Sequence, residues 1–215
     1  MSKMTLYGYW RSSAAYRVRI ALNLKDIDYQ NCSVHLVKKG GEQHDAPFNS
    51  LNPSELVPVL VDGDVQLNQS LAIIDYLDEQ YPEVAITPTD GKVRYLVKSL
   101  AQDIAIDVHP INNLRVMQYL SKNLDANENQ RLDWTKHWME VGFSALEKKL
   151  ETVSGMYCVG EVITLVDVCL VPQLYNAKRF GVDLDPYPVI QRIVENLNQH
   201  PAFIAAAPEN QPDAE

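Results

Sequence analysis

The stretch Leu56-Val57-Pro58-Val59-Leu60-Val61-Asp62-Gly63-Asp64-Val65-Gln66-Leu67 decides the fold of the first part of the chain. Its apolar first half predicts a strand. A proline inside a strand cannot donate to the ladder, so Pro58 marks an edge, a bulge or a cis bond. Asp62-Gly63-Asp64 predicts a tight turn, after which Val65 to Leu67 returns. The stretch therefore predicts a β-hairpin with an irregular entrance.

A helix follows this hairpin, and a β-α-β unit precedes it. Residues 70–81 carry an apolar stripe at helical spacing and are followed by Pro82. Upstream, residues 6–10 and 27–36 are strand candidates. The apolar positions that define a helix between them are Ala14, Val18, Ala21 and Leu22. The order β-α-β, then β-β-α, predicts helices beside a small mixed sheet.

The second half of the chain lacks strand signals. It follows a connection at 82–92 that contains proline and glycine. Apolar periodicity predicts helical segments over 93–107, 112–122, 129–153, 166–180 and 188–198. Thr164 and Asp167 form a predicted capping box before one of them. Residues 92–215 are therefore typical of an all-α bundle, with disorder expected only at 208–215.

Composition limits the classes of function. The chain has 215 residues and a formal charge of −9, without a basic stripe for a nucleic-acid backbone. It has no run of about 18 apolar residues, and residues 1–5 lack the apolar core of a signal peptide. The three cysteines fit no metal motif. These features predict a cytoplasmic protein with no metal site and no nucleic-acid or membrane partner.

Four segments in order carry a family resemblance: residues 11–22, 52–58, 68–77 and 167–172. As a set they are similar to the zeta class of the glutathione transferases, and the resemblance covers nearly the whole chain. It implies an α/β N-terminal thioredoxin-like domain, residues 1–82, that binds glutathione. It also implies an all-α C-terminal helical domain, residues 92–215, that binds substrate, and a homodimer.

The resemblance implies a glutathione-dependent cis–trans isomerase that converts maleylacetoacetate, a small dicarboxylic substrate, to fumarylacetoacetate in tyrosine breakdown. Glutathione is then the cofactor and is not consumed. Isomerisation of maleylpyruvate and glutathione transfer or dehalogenation of small α-halo acids stay open, as does a non-catalytic binding module. A thiol–disulfide reductase is disfavoured because no cysteine lies near the start of the first helix.

Ser12 and Ser13 lie where the first strand turns into the first helix. A helix N-terminus favours an anion, and a serine hydroxyl can stabilise a thiolate there. Taken alone, both serines are ordinary helix caps. The resemblance implies that they are catalytic, with Ser12 as the thiolate partner. Zeta-class proteins usually have a cysteine next, where this chain has Ala14, which weakens any thiol role for the protein itself.

The resemblance also implies the residues that contact glutathione. They are Ser12, Ser13, Ala14, Arg17, Gln43, Val57, Pro58, Gln69, Ser70, His109, Asn113 and Arg115. The main chain of Val57 would pair with the glutathione backbone as an added strand does. Gln69 and Ser70 open a helix that could hold a carboxylate. Each residue also has an ordinary structural interpretation as a cap, a turn, a core histidine or a solvated loop residue.

Arginines suit a substrate with two acidic ends, because a guanidinium binds carboxylates through two parallel hydrogen bonds. The resemblance implies that Arg11, Arg115 and Arg179 hold the substrate carboxylates, although each alone is typical of a surface arginine. Tyr7 and Tyr9 are interpreted as packing residues of the first strand.

Overall fold

The computed structural model describes residues 4–215, so the first three residues of the predicted 1–82 domain lie outside it. The chain divides into two compact units. One comprises Met1–Ile86 with His200–Glu215, and the other comprises Thr87–Gln199.

The first unit contains the predicted strands and helices. Its elements up to residue 80 are β1 (Thr5–Gly8), α1 (Ser13–Leu24), β2 (Gln30–Ser33), α2 (Ala46–Leu51), β3 (Val59–Asp62), β4 (Val65–Asn68) and α3 (Ser70–Gln80). The second strand is shorter than the predicted 27–36. The six-residue helix α2 was not predicted, because so short a segment shows no helical period.

The sheet is mixed, as predicted, with strand order β2-β1-β3-β4. Strand β1 runs parallel to β2 and antiparallel to β3, and β3 and β4 form the antiparallel hairpin. Leu6 pairs with Leu60 across β1 and β3, and both side chains are fully buried. This pair lies at the centre of the first unit's core.

Helix α1 packs closely on the end of β1. A Cβ placed on Gly8 would lie 3.2 Å from the Cβ of Ala15, so glycine allows the close approach of strand and helix. Val18 and Ala21, on the predicted apolar face, are fully buried. The packing fixes the start of α1 relative to the sheet.

The hairpin has the irregular entrance that the sequence predicts. The Val57–Pro58 peptide bond is cis, and β3 begins only at the next residue. Gly63 in the turn has a φ of +58°, a conformation that glycine adopts without strain.

The second unit contains helices α4 (Gly91–Gln102), α5 (Leu114–Asn123), α6 (Glu128–Val153), α7 (Leu165–Arg179) and α8 (Pro188–Leu197). Each predicted helical segment is confirmed, although the segment 93–107 passes from α4 into a π-helical turn, Asp103–Val108. Within residues 4–215, no helix has the length and apolar character needed to cross a membrane.

The predicted capping box begins α7. Asp167 is fully buried, and its Oδ2 accepts hydrogen bonds from the Thr164 main-chain N–H at 2.8 Å and from the Thr164 hydroxyl at 2.9 Å. Its Oδ1 accepts from the Cys158 N–H at 2.9 Å. One carboxylate therefore joins the start of a largely buried helix to the loop before it.

The C-terminal segment differs from its prediction. Helix α9 (Pro201–Ala206) packs on α1, so the second compact unit ends before the predicted boundary of 92–215. The disorder predicted for 208–215 was wrong. Gln211 is buried, and its Nε2 donates to the carbonyls of Ala205 and Ala207, both at 2.9 Å. These hydrogen bonds order the segment although its composition is polar, and the prediction was based on composition alone.

Candidate active site

The turn between β1 and α1 presents Ser12 at a helix N-terminus. Ser12 is the N-cap of α1, and its Oγ accepts a hydrogen bond from the Ala15 N–H at 3.2 Å. Its own N–H donates to the Tyr9 carbonyl at 2.9 Å. Because the capping bond uses Ser12 Oγ only as an acceptor, the hydroxyl proton stays available for a thiolate. Capping and thiolate stabilisation are therefore compatible in one side chain.

Ser13 and Ala14 form the first turn of α1. Ser13 is buried and Ala14 is half-buried. The first turn contains no acidic side chain, so the partial positive charge of this helix end is not neutralised locally. The position favours an anion next to Ser12.

Arg17 connects α1 to the start of α3. The guanidinium is buried, and its Nη1 donates to Ser70 Oγ at 3.3 Å. Ser70 is itself buried and is the first residue of α3. This contact links α1 to α3. It therefore brings together two of the segments that carry the family resemblance, 11–22 and 68–77.

Gln69 has an unusual backbone conformation. Its φ is +71° and its ψ is 111°, and its side chain makes no capping bond to α3. A residue other than glycine in this region is strained by about 1–3 kcal/mol, and such strain is concentrated at ligand-binding positions. The conformation therefore supports a binding role for the exposed Gln69 side chain.

Replacing Gln69 by glycine is expected to change the affinity for glutathione while changing the stability of the fold little. Glycine accepts a positive φ, so the free energy of unfolding should stay within about 1 kcal/mol of the wild-type value. The dissociation constant for glutathione should rise about tenfold, because the ligand loses a side-chain partner. Urea unfolding and calorimetric titration measure the two quantities. Unchanged affinity would remove Gln69 from the site.

Gln43 is buried, contrary to its interpretation as a solvated loop residue. A Cβ on Gly41 would collide with the Gln43 side-chain amide, so the glycine leaves room for that amide. Gln43 Nε2 lies 3.0 Å from His44 Nε2, while Gln43 Oε1 is buried and has no hydrogen-bond partner among the described residues. An unpaired buried carbonyl oxygen is costly, which indicates a missing donor.

Val57 and Pro58 lie immediately before β3. Pro58 is buried and Val57 is half-buried. The Val57 side chain packs against a cluster of Val34, Phe48 and Val59. The side chain therefore has a core role, which leaves only the main chain of Val57 for the predicted pairing with a ligand.

Arg11 lies directly before Ser12 and is half-buried. Its Nη2 donates to the Tyr9 hydroxyl at 3.1 Å, and its guanidinium carbon lies 4.7 Å from the Trp10 ring centroid. Its Nε is buried without a hydrogen-bond partner among the described residues. Tyr9 and Trp10 thus hold a guanidinium that retains donor capacity, which suits a carboxylate.

His109 and Asn113 flank a break between α4 and α5 in the second unit. The His109 N–H donates to the Ile104 carbonyl at 3.0 Å, in the i→i−5 pattern of the π-helical turn. Pro110 has no backbone N–H to donate and begins a short 3-10 helix, Pro110–Asn112. Asn113 is the N-cap of α5, and its Oδ1 accepts from the Arg115 N–H at 3.3 Å. The π-helical turn and the N-cap therefore lie on either side of this proline.

The other two arginines are exposed. Arg115 lies in the first turn of α5. Arg179 lies in the last turn of α7, where the helix dipole stabilises a positive charge. The Arg179 guanidinium carbon lies 4.9 Å from the Phe180 ring centroid. Both side chains are accessible to a solute.

The cysteines differ in accessibility. Cys158 and Cys169 are buried, while Cys32 is half-buried on β2. Burial raises the pKa of the Cys158 thiol well above its ordinary value, and the carboxylate of Asp167 raises it further. With an aromatic disulfide reagent, we expect Cys32 alone to react in the native protein and all three thiols to react in urea. Fast modification of Cys158 would contradict this burial.

Comparison with known proteins defines the class. The family model described as "Glutathione S-transferase, N-terminal domain" matches residues 6–85, and "Glutathione S-transferase, C-terminal domain" matches residues 120–201. The chain is 58% identical to the probable maleylacetoacetate isomerase of Vibrio cholerae, over all of both chains. It is 45% identical to the maleylpyruvate isomerase of a Ralstonia species, covering 98% of this chain and 100% of that protein.

Solved structures agree with these matches. A holo structure of a bacterial maleylpyruvate isomerase, described as a zeta-class glutathione S-transferase, superimposes with a TM-score of 0.95 at 44% identity, covering 98% of this chain and 100% of that one. A maleylacetoacetate isomerase from Methylobacterium extorquens AM1, with bound malonate and glutathione, gives a TM-score of 0.94 at 38% identity, covering 98% and 99%. The chain belongs to the zeta class of the glutathione S-transferase family.

Proposed function

We propose that this protein is a glutathione-dependent cis–trans isomerase that converts maleylacetoacetate to fumarylacetoacetate. The observation that carries the proposal is the Ser12 hydroxyl at the N-terminus of α1, in a chain of the zeta class. The maleylacetoacetate isomerases among its relatives support the choice of substrate.

The residues of the first unit fit glutathione. Two helix N-termini, those of α1 and α3, offer N–H groups to anionic groups. The unpaired Gln43 Oε1 can accept from an N–H of the peptide, and the strained Gln69 supplies a side chain at the start of α3. When bound, glutathione supplies a thiol that adds reversibly to the cis double bond, so that the carbon skeleton can rotate.

Ser12 activates the thiol in this proposal. The Ser12 hydroxyl donates a hydrogen bond to the thiolate, and the N-terminus of α1 stabilises its negative charge. Both effects lower the pKa of the thiol. The main chain of Val57 holds the peptide as an added strand does. Membership of the class also supports His109, Asn113 and Arg115 as proposed glutathione contacts. The thiol proton passes to solvent when the thiolate forms, and elimination of the product returns the thiolate, so the cycle needs no base on the protein.

Arginines position the substrate. Arg11, Arg115 and Arg179 hold its carboxylates, and this orientation directs addition to one carbon of the double bond. Arg11 is the best supported of the three, because it precedes Ser12 in the chain and its guanidinium is already held by Tyr9 and Trp10. The same positive charge stabilises the negative charge that develops on the substrate.

Maleylpyruvate is the second candidate substrate. The similarity to maleylpyruvate isomerases favours it, and so does Ala14, which replaces the cysteine usual in the class. We further propose that residues 1–82 bind glutathione, that residues 92–215 bind substrate, and that the protein works as a cytoplasmic homodimer. These proposals follow from membership of the class.

The test is to mix the purified protein with maleylacetoacetate or maleylpyruvate, with and without glutathione, and to follow the fumaryl product. We expect conversion only with glutathione and without loss of free thiol. Loss of thiol in step with substrate would indicate conjugation instead. If neither substrate is converted, the isomerase proposal fails, and small α-halo acids become the next substrates to test.

A further inference from the structure

The main chain of Trp10 is held from two sides, two residues before Ser12. Its N–H donates to Asp213 Oδ2 at 3.1 Å, and its carbonyl accepts from Arg19 Nη2 at 2.9 Å. Ordinary strand or helix bonding does not account for either contact, since Trp10 lies in the turn between β1 and α1. Two charged side chains therefore set the position of this turn.

Arg19 is buried inside the first unit, with 1% of its surface exposed. Besides Trp10, it donates to the Ala206 carbonyl through Nε at 3.0 Å and to the Tyr9 carbonyl through Nη1 at 3.4 Å. Burial lowers the pKa of Arg19 to about 10, and this shift is opposed first by Tyr29, then by Tyr16, and least by Asp213. Arg19 is thus still charged at neutral pH, and three carbonyl oxygens share its donors.

Asp213 joins the end of the chain to the same turn. Its Oδ2 also accepts from the Ser33 hydroxyl at 2.8 Å, at the end of β2. On either side of it, Gln211 is bonded to carbonyls of the α9 region, and Glu215 is paired with Lys38. The carboxylate is therefore held in a fixed segment, which allows it to hold Trp10 in turn.

We propose that Asp213 and Arg19 are positioning residues for Ser12. The C-terminal segment fixes the Tyr9–Trp10 main chain from outside, and Arg19 fixes it from inside the core. Ser12 depends on this arrangement directly, because its N–H donates to the same Tyr9 carbonyl that Arg19 contacts. A displacement of about 1 Å at such a group can cost about 100-fold in rate. The inference rests on the proposed function of Ser12.

The test compares Asp213→Ala with Asp213→Asn, which keeps an acceptor oxygen for Trp10. Glu209→Ala is the matched control, since Glu209 is an exposed carboxylate in the same segment. In Asp213→Ala we expect kcat to fall about tenfold, and the pH profile of kcat/KM to move to higher pH because the thiol is less well stabilised. Asp213→Asn should recover most of the loss, and Glu209→Ala should match the wild type.

A second measurement needs no glutathione. Amide hydrogen exchange of Trp10 should be faster in Asp213→Ala than in the wild type, while amides of the β3–β4 hairpin stay protected. If Asp213→Ala folds poorly, Ser33→Ala replaces it, because that change removes the other partner of the carboxylate and should have a smaller effect in the same direction. An inactive wild type would overturn the proposed function, whereas the exchange of Trp10 would still test the contact.

Two results would overturn the inference. One is an active wild type whose kcat and pH profile are unchanged by Asp213→Ala. The other is a loss of kcat in Asp213→Ala that Asp213→Asn does not recover, while amide exchange of Trp10 in Asp213→Ala stays at the wild-type rate. If the first result came with a drop in thermal stability, Asp213 would be a structural contact only.

Discussion

Replacing Ser12 by alanine is expected to lower kcat/KM about 100-fold or more, as removal of one preorganised donor does at other anionic transition states. The free energy of unfolding should fall by only about 1 kcal/mol, the usual cost of losing a helix N-cap. The cap is the Ser12 Oγ bond to the Ala15 N–H at 3.2 Å. Steady-state kinetics and urea unfolding of the same preparation measure both effects.

A matched control is the N-cap of α4. The Asp90 side chain accepts from the Val93 N–H at 3.2 Å, so Asp90→Ala also removes one capping bond. It should lower the free energy of unfolding by a similar amount, about 1 kcal/mol, and leave kcat/KM unchanged. If Ser12→Ala and Asp90→Ala have the same effect on both quantities, Ser12 is only a helix cap.

Among the substitutions considered, Asp167→Ala is expected to lower the free energy of unfolding most, by about 3–5 kcal/mol. The change leaves three donors without their acceptor in a buried place: the N–H groups of Cys158 and Thr164 and the Thr164 hydroxyl. Urea unfolding measures the loss. Asp167→Asn is the matched variant, because it keeps one acceptor oxygen and should lose less. A loss below about 1 kcal/mol for the alanine variant would contradict this account.

The free energy of unfolding of the wild type should depend on pH differently from that of Asp167→Asn, because of the pKa of Asp167. Burial raises it above the ordinary value of 3.8, although the bonds from Cys158 and Thr164 oppose the shift. The folded protein thus binds this proton more tightly than the unfolded chain. The contribution of Asp167 to stability is therefore greatest below the ordinary pKa and is lost as pH rises through the folded pKa. We expect the stability advantage of the wild type over Asp167→Asn to grow as pH falls from 7 toward 4.

Local sequence patterns predicted the elements that depend on local chemistry. The hairpin around Gly63 and the capping box of Thr164 and Asp167 are both confirmed, because turn and cap preferences act over a few residues. Helices α2 and α9 were missed, since six residues are too few for a period and tertiary packing stabilises them. The π-helical turn Asp103–Val108 was not predicted within the helical segment 93–107.

The candidate site shows the same limit. Ser12 and Ser70 could be predicted as residues at helix starts, and the structure places them there. The strained backbone of Gln69 and the buried amide of Gln43 leave no local signal. The contact of Trp10 with Asp213 spans 203 positions of the chain, and no pattern in either segment announces it. Long-range contacts of this kind become visible only in the folded protein.

In the proposed function, the start of α1 activates the thiol of glutathione. The most direct test of this activation is a pH titration of thiolate absorbance for glutathione bound to the wild type and to Ser12→Ala. We predict that the thiol pKa in the wild-type complex lies well below about 8.5, the value of an unperturbed thiol, and that it rises toward that value in Ser12→Ala. A thiol pKa in the wild-type complex equal to that of free glutathione, or one that Ser12→Ala leaves unchanged, would contradict the account.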